Sequence, residues 1–414
     1  MCRVAMLSVH GSPLGQLGTD SAGGMQLYIR ALSRELGRRG TVVDVFTRRS
    51  DPCQPKVVSF GPNARVIHLD AGPAAPIEKN AVLNFLPEFL CNLQRFRQAV
   101  GLEYDVIHSH YWLSGWVGNL LARRWGVPHV AMFHTLGRLK NQALAEKEES
   151  DARIEIEERI VDGADRIIAS SEHERLALVD HYGARWENIA VIPCGVDLSL
   201  FRPLDQAAAR AMLELDGEVL LFVGRIDPVK GLDVLLQAVA LLRTRPNLTL
   251  VVVGGSDTER ELQRNRRLAH DLGLDGRVFF KGAVPQEKLP IYYSAATLCV
   301  VPSYYESFGL VAMEALACGT PVIASEVGGL PTVVRDRENG LLVPRHQPEV
   351  FAQRIAQALD DVALRRALRL RARASVLCYD WGIIAERMIA MYHGLTGTCG
   401  HDALSVVELA AAEP

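Results

Sequence analysis

Two glutamates, Glu306 and Glu314, flank an apolar segment with the sequence Ser-Phe-Gly-Leu-Val-Ala-Met. Their spacing of eight residues is about two helical turns, so both carboxylates would face one side of a helix. Carboxylates hold sugar hydroxyls through charge-assisted hydrogen bonds. Isolated glutamates more often form a solvated face, but these apolar surroundings favour a binding site. We expect the helix to open at Ser307, Phe308, Gly309 and Leu310.

Two cations, Arg225 and Lys230, follow the apolar run Val219–Val223 in the segment VGRIDPVKG. The proline and glycines of this segment predict a turn, and a helical pattern follows it. Cations at the carboxyl end of a strand, beside a helix N-terminus, suit a pyrophosphate. The same pattern also fits two solvated loop cations, and the residues alone leave both interpretations open.

The glycine pair Gly23–Gly24 lies between the first predicted strand and a helix that begins near Met25. Glycine lets a ligand approach the backbone closely, and the amides at a helix N-terminus favour an anion. The pair is not the spaced Gly-x-Gly-x-x-Gly fingerprint of a dinucleotide-binding fold. It indicates either a turn that faces a ligand or an ordinary loop.

One histidine, His134, directly follows the apolar run Val130–Phe133 in the segment FHTLGRLKN. A histidine in this position can hydrogen-bond a substrate hydroxyl or act as an acid or a base. The alternative is a core histidine whose nitrogens are satisfied by backbone groups. His108 and His110 flank another predicted strand end and are secondary candidates.

The elements that must position these residues alternate between short, β-branched apolar runs and longer amphipathic helices. This alternation predicts an α/β protein with two doubly wound, Rossmann-like domains that face each other across a cleft. Ligands of such sheets bind at the carboxyl ends of the strands. We expect an N-terminal domain at 1–195, a C-terminal domain at 196–379, a helix at about 380–395 that crosses back, and a disordered tail at 396–414.

Composition and charge argue against several classes of function. The 414 residues carry a formal net charge of −3 at pH 7, so no global positive field would hold nucleic acid or an anionic membrane. No apolar stretch reaches the ~20 residues of a membrane span, and the N-terminus reads as a strand rather than a signal peptide. The eight scattered cysteines are typical of reduced thiols in the cytoplasm, and we predict neither a metal nor a cofactor.

These motifs, in this order and in two doubly wound halves, resemble the GT-B glycosyltransferases of family 4 over nearly the whole chain. The resemblance implies a nucleoside-diphosphate sugar donor, by family habit a UDP-sugar, with retention of anomeric configuration and no metal. It implies that Arg225 and Lys230 hold the diphosphate and that Gly23 lets it approach closely. Glu306 would bind the hydroxyls of the donor sugar and Glu314 the nucleotide ribose. The implied donor site also includes Gly24, Ser307, Phe308, Gly309 and Leu310.

The N-terminal half resembles one subgroup, the inositol-phosphate N-acetylglucosaminyltransferases of mycothiol biosynthesis, through SAGGMQLYI, SHYWLSG, HTLGRLKN and ESDARIEIEERIVDGAD. The resemblance implies that an acceptor phosphate is held by Lys79, Tyr111, Thr135 and Arg153. Two cations and two hydroxyls suit a phosphate dianion. Gln26, a further expected acceptor contact, stands where the subgroup has asparagine, and HTLGRLKN is closer to the sucrose-phosphate synthases.

We therefore expect an enzyme that transfers a hexose or an N-acetylhexosamine to a small phosphorylated acceptor such as inositol phosphate. The alternatives are sucrose-phosphate synthase-like transfer to fructose 6-phosphate, an unphosphorylated or lipid acceptor, and a non-catalytic nucleotide-sugar-binding protein. Small molecules are the expected partners, and the oligomeric state stays open, with a homodimer as one alternative. The expected catalytic residues are Arg225, Lys230, Glu306 and His134. The resemblance puts His134 near O6 of the donor sugar.

Overall fold

A computed structural model describes the chain at residues 2–15, 23–143, 149–255, 260–344 and 347–397. Within these residues, the strands form one sheet of eight and one of six, each covered by helices. The predicted tail beyond residue 397 lies outside the described residues. The two-sheet α/β architecture that the sequence predicts is therefore present.

The first sheet is parallel except at one edge, and its strand order is β3-β4-β2-β1-β5-β6-β7-β8. Its strands are β1 (Arg3–Leu7), β2 (Val42–Arg48), β3 (Val57–Gly61), β4 (Ala64–Leu69), β5 (Val106–His110), β6 (His129–Met132), β7 (Arg166–Ala169) and β8 (Ile189–Val191). The edge strand β3 runs antiparallel to β4 and departs from the all-parallel sheet that the sequence predicts. Its side chains are largely exposed or half-buried, so it lacks the continuous apolar run of a central strand.

Six helices connect these strands, and several of their ends have capping residues. They are α1 (Gly24–Arg38), α2 (Leu86–Val100), α3 (Tyr111–Trp125), α4 (Gly137–Ala143), α5 (Asp151–Gly163) and α6 (Glu172–Tyr182). Ser150 and Ser171 each accept a hydrogen bond from an amide in the first turn of α5 and α6. Gly126 ends α3 in the left-handed conformation that favours glycine. Local sequence therefore fixes the beginnings of α5 and α6 and the end of α3.

The second sheet is parallel and has the strand order β11-β10-β9-β12-β13-β14. Its strands are β9 (Glu218–Val223), β10 (Leu248–Val253), β11 (Val278–Phe280), β12 (Leu298–Val301), β13 (Val322–Ser325) and β14 (Gly340–Val343). Its helices are α7 (Gln206–Leu213), α8 (Leu232–Leu241), α9 (Arg260–Asp271), α10 (Leu289–Ala295), α11 (Leu310–Ala317), α12 (Leu330–Val333), α13 (Pro348–Asp360) and α14 (Val362–Ala372). The helix expected to open at Ser307 is α11, but it begins only at Leu310. Glu314 therefore lies on the helix, whereas Glu306 lies in the loop before it.

The last helix, α15 (Trp381–Thr396), packs against α1 of the first half. Its Tyr392 hydroxyl lies 2.7 Å from Nδ1 of His108 in the middle of β5. Trp381 packs edge-on against Tyr28 of α1, with ring centroids 5.3 Å apart. These contacts join the end of the chain to the core of the first sheet, and the residue at which one domain passes into the next stays a prediction.

Two further features concern membrane-spanning helices and cysteines. No helix among the described residues is long and apolar enough to cross a membrane. The seven cysteines in the described part of the chain are unpaired. The eighth, Cys399, lies outside the described residues.

Candidate active site between the two sheets

A cleft of about 1020 Å³ lies between the two halves, at the carboxyl ends of strands from both sheets. Loops that follow β1, β6, β9 and β12 contribute to its walls. Every main site residue predicted from the sequence lines this cleft except Arg153, which is fully buried behind the wall. The secondary candidates His108 and His110 are also fully buried and do not line it. The lining residues are Gly23, Gly24, Gln26, Lys79, Tyr111, His134, Thr135, Arg225, Lys230, Glu306, Ser307, Phe308, Gly309, Leu310 and Glu314.

Four predicted residues, Arg225, Lys230, Glu306 and Glu314, form what we call the C-terminal cluster. Nζ of Lys230 lies 2.6 Å from Oε2 of Glu306, and both side chains are partly exposed to the cleft. The side chain of Arg225 is 45% exposed, and its Nη2 lies 3.4 Å from Oδ2 of Asp227. Both cations are therefore accessible to an anion that enters the cleft.

The turn that carries Lys230 is fixed by its neighbours. Asp227 accepts a hydrogen bond from the amide of Val229, and Gly231 has φ of 67°. A Cβ atom added to Gly231 would lie 2.1 Å from the carbonyl oxygen of Pro302. Only glycine fits this position, which sets Lys230 beside the N-terminus of α8.

Gly23 and Gly24 lie opposite the C-terminal cluster, on the wall formed by the first half. A Cβ atom added to Gly23 would lie 3.6 Å from Nε of Arg225, and one added to Gly24 would lie 3.0 Å from Cδ1 of Leu310. The amide of Gly23 donates to Oε1 of Gln26 at 2.8 Å. The glycine pair thus brings the two walls close together, as expected of a turn that faces a ligand.

Glu314 is the deepest acid of the C-terminal cluster, with 6% of its surface exposed. Its Oε2 accepts a hydrogen bond from the hydroxyl of Tyr293 at 2.7 Å. Burial raises the pKa of Glu314 to about 7, although hydrogen bonds from Tyr293 and Gln286 oppose that rise. This carboxyl group can therefore change its protonation state near neutral pH.

The loop between the two glutamates also contacts the opposite wall. The hydroxyl of Ser307 donates to the carbonyl oxygen of His134. The backbone turns at Gly309, where φ is 106°, and Phe308 is buried against Tyr379. The segment thus reaches the loop after β6, so the two halves contact each other directly at the site.

His134 has a backbone conformation that is uncommon for a residue with a side chain, with φ of 61°. Its Nε2 lies 2.9 Å from Nδ1 of His110, another histidine at a strand end. Burial, and secondly the charge of His10, lower the pKa of His134 to about 3. The imidazole is therefore neutral at pH 7 and is suited to hydrogen-bonding a hydroxyl rather than to carrying charge.

Arg153 is the centre of a second group of predicted residues, on the wall of the first half. Its Nη1 donates to the hydroxyl of Tyr111 at 2.9 Å, and its Nη2 donates to Oγ1 of Thr135 at 3.1 Å. Its Nε donates to Glu157 at 2.7 Å. Burial alone would lower the pKa of Arg153, but Glu157, Tyr111 and Glu149 raise it above its ordinary value. Arg153 is thus a charged group inside the protein with all sides engaged.

Glu149 accepts contacts from three cations. Its carboxylate lies 2.8 Å from Nη1 of Arg153, 3.1 Å from Nζ of Lys140 and 3.8 Å from Nζ of Lys79. Burial would raise the pKa of Glu149, but the charges of Arg153, Lys79 and Lys140 outweigh it and lower that pKa to about 2. We call the whole set the N-terminal cluster: Lys79, Tyr111, Thr135, Lys140, Glu149 and Arg153.

Sequence reasoning did not select Lys140 or Glu149, although both line the cleft. Lys140 lies in the segment HTLGRLKN, which drew attention only for His134 and Thr135. Glu149 directly precedes Ser150, the residue that caps α5. The only sequence signal was the position of each residue beside a motif already selected.

Comparison with known proteins identifies the family. Residues 22–200 match the description Glycosyltransferase Family 4, and residues 206–375 match Glycosyl transferases group 1. The D-inositol 3-phosphate glycosyltransferase of Acidothermus cellulolyticus is 44% identical over 406 residues, which cover 94% of this chain and 90% of that protein. The chain belongs to the GT-B glycosyltransferases of family 4. Another relative of this glycosyltransferase, the D-inositol 3-phosphate glycosyltransferase of Corynebacterium efficiens, is 42% identical over 95% of this chain and 96% of that protein.

Solved structures agree with the assignment of this chain to the glycosyltransferase family. Sucrose-phosphate synthase from Thermosynechococcus elongatus matches with a TM-score of 0.90 and 40% identity, over 96% of this chain and 100% of that one. Anabaena HepE in complex with UDP-glucose matches with a TM-score of 0.76 at 21% identity, over 95% of this chain and 100% of that one, which shows the shared fold alone. The predicted family, fold class and enzyme class are confirmed.

The roles of individual residues, and the prediction that this glycosyltransferase needs no metal, stay predictions. Among the described residues, no group of three or more His, Cys, Asp or Glu side chains is arranged to hold a metal ion.

Proposed function

We propose that this glycosyltransferase moves a hexose or an N-acetylhexosamine from a UDP-sugar to a small phosphorylated acceptor such as an inositol phosphate, with retention of anomeric configuration. The observation that carries the proposal is a cleft with cations on both walls. Arg225 and Lys230 line one wall, and Lys79 and Lys140 line the other. A donor diphosphate and an acceptor phosphate each need such a site.

The C-terminal cluster supports the donor half of the proposal. Arg225 and Lys230 face the cleft beside the N-terminus of α8, where a diphosphate gains from both the cations and the helix amides. As the leaving diphosphate gains charge, these groups stabilise it electrostatically. Glu306 and Glu314 would accept hydrogen bonds from the hydroxyls of the sugar and the ribose.

The transfer itself needs one bond made and one bond broken. The acceptor hydroxyl oxygen bonds to the anomeric carbon on the face from which the diphosphate leaves. The bond between that carbon and the diphosphate oxygen breaks, and the leaving phosphate oxygen takes the proton of the hydroxyl. Neutral His134 would donate a hydrogen bond to a sugar hydroxyl, or accept one from it, at this stage, because its low pKa keeps the imidazole uncharged.

A panel of donors and acceptors tests the proposal. UDP-, ADP- and GDP-sugars are each paired with inositol phosphate, fructose 6-phosphate, inositol and fructose, and release of nucleoside diphosphate is measured together with the anomeric form of the product. We expect the highest kcat/KM with a UDP-sugar and a phosphorylated acceptor, and a product that retains configuration. A preference for the dephosphorylated acceptors, or inversion at the anomeric carbon, would contradict it.

A second candidate function is transfer of glucose to fructose 6-phosphate. It is favoured by the match to sucrose-phosphate synthase from Thermosynechococcus elongatus, at 40% identity and a TM-score of 0.90. Both candidates place a phosphate at the N-terminal cluster, so the structure of the cluster does not separate them. The panel of donors and acceptors distinguishes them, because the second candidate function predicts the highest kcat/KM with fructose 6-phosphate.

A further inference from the structure

Glu149 and Glu157 both pair with Arg153, but their surroundings differ. Glu157 is 0% exposed and also accepts from the hydroxyl of Tyr182 at 2.6 Å and from the amide of Gly137 at 3.0 Å. It is fixed on the side of Arg153 that faces the core. Glu149 faces the cleft and shares its charge with two lysines.

The backbone of Glu149 is held independently of its carboxylate. Its amide donates to Oδ1 of Asn141 at 2.8 Å, and its carbonyl oxygen accepts from Nδ2 of Asn141 at 2.9 Å. Asn141 lies at the end of α4, and Ser150 caps α5 one residue after Glu149. The carboxylate can therefore leave the cations by side-chain rotation alone, without loss of the two helix ends.

The charges of the N-terminal cluster limit what can bind beside it. Among the described residues, the three cations Lys79, Lys140 and Arg153 pair with the carboxylates of Glu149 and of Glu157 behind the cluster, which leaves these five side chains with one net positive charge. A phosphate dianion bound next to Glu149 would give these five side chains and the phosphate one net negative charge, in a part of the cleft that is poorly solvated. The same dianion bound in place of Glu149 would leave the cluster balanced.

We propose that the Glu149 carboxylate is an exchangeable counter-ion, which holds the three cations together in the empty enzyme and gives up its place to the phosphate of the acceptor. This inference rests on the proposed function, because it takes the acceptor to be phosphorylated. Glu149 thereby determines specificity. A neutral hydroxyl brings no charge with which to displace the carboxylate, whereas a phosphate dianion does.

Glu149→Gln tests the exchange with inorganic phosphate as the probe. The change removes the competing charge and keeps the size of the side chain. We expect phosphate to inhibit competitively against the acceptor about tenfold more strongly than in the wild-type enzyme, which corresponds to about 1.4 kcal/mol. Glu155→Gln is the matched control, because it removes the same charge from an exposed position on α5. Its inhibition constant should stay within about twofold of wild type.

A second measurement uses the wild-type enzyme and does not depend on the stability of a variant. In a crystal soaked with inorganic phosphate, we expect the anion to contact Lys79, Lys140 and Arg153, with the Glu149 carboxylate turned away beyond hydrogen-bond distance. Glu149 still paired with Lys140 beside a bound phosphate would overturn the exchange. Phosphate inhibition that is unchanged or weaker in Glu149→Gln would do the same.

The two proposals fail in different ways. If wild-type enzyme prefers dephosphorylated acceptors, the proposed function is wrong and the exchange falls with it. If wild-type enzyme prefers phosphorylated acceptors while Glu149→Gln binds phosphate no more tightly, only the exchange is wrong.

Discussion

The two walls of the cleft carry the same kinds of charged residue in different settings. In the C-terminal cluster the cations are partly open, with 45% of the Arg225 side chain and 24% of the Lys230 side chain exposed. In the N-terminal cluster Arg153 is 0% exposed and bonded on every side. Arg225 and Lys230 can change partners at little cost to the fold, whereas Arg153 is part of the core. Cations on the two walls therefore contribute differently to stability.

The largest effect that separates the two walls is expected from Arg153→Met. The change leaves Glu149 and Glu157 buried without their shared cation. Loss of one partner from a buried ion pair costs about 3–5 kcal/mol. We expect the free energy of unfolding, measured by chemical denaturation, to fall by that amount.

Arg159→Met is the control for this change, since Arg159 lies on the same helix with 72% of its side chain exposed. It should alter the free energy of unfolding by less than about 1 kcal/mol. Equal losses in the two variants would show that the N-terminal cluster is no more a part of the core than the helix surface.

The next effect is expected from Lys230→Ala on the open wall. Loss of one group that stabilises developing charge lowers kcat by roughly 100–1000-fold. The melting temperature should change little, because the side chain is partly exposed and pairs only with Glu306 among the contacts described. Steady-state release of nucleoside diphosphate and a thermal melt measure the two quantities.

Lys281→Ala serves as the control, because this lysine is in the same half, exposed and outside the cleft. Its kcat should stay close to that of wild type. A near-normal kcat in Lys230→Ala would remove the diphosphate role from the C-terminal cluster.

A third effect concerns Glu314, the one buried member of the C-terminal cluster, with 6% of its surface exposed. Its pKa is about 7 in the folded protein against an ordinary value of 4.5. Because the folded-state pKa is raised, its stabilising contribution is complete below pH 4.5 and is lost as the pH rises through 7. The loss is about 3 kcal/mol at 1.36 kcal/mol for each pKa unit.

Glu314→Gln lacks this titration. We expect the difference in unfolding free energy between wild type and the variant to shift in favour of the variant between pH 5 and pH 7. Parallel stability profiles over that range would mean that the carboxyl group titrates normally.

The smallest effect is expected at the paired histidines His110 and His134 of the first half. His110→Leu removes the hydrogen-bond partner of His134, which is worth about 1 kcal/mol or fivefold in kcat. His110→Asn keeps a polar atom near the position of Nδ1 and should restore most of the activity. If both variants lose activity equally, the hydrogen bond is not what positions His134.

The two walls also differ in how far the sequence predicted them. The C-terminal cluster comes from two short motifs, each directly after an apolar strand, so the spacing of Arg225, Lys230, Glu306 and Glu314 was informative. The order of parallel strands then brings both motifs to one edge of the sheet. Local pattern was therefore enough to predict which residues line that wall.

The N-terminal cluster draws on separate segments around Lys79, Tyr111, Thr135 and Glu149, which meet only in the folded chain. No spacing reveals that convergence, and the resemblance to a known subgroup supplied four of its members. The sequence did not predict Lys140 and Glu149, because their role depends on which charged side chains they contact in the folded chain. The sequence did not predict the edge strand β3 for a related reason. Pairing with β4, rather than an apolar pattern of its own, holds it in the sheet.

The central claim is that the cleft binds a nucleoside-diphosphate sugar on the wall of the C-terminal cluster. A crystal structure of the wild-type enzyme with UDP tests it most directly. We expect the diphosphate to lie within hydrogen-bond distance of Arg225 and Lys230, with the ribose at Glu314. Density for UDP outside the cleft, or with its diphosphate on Lys79 and Lys140 instead, would contradict the account.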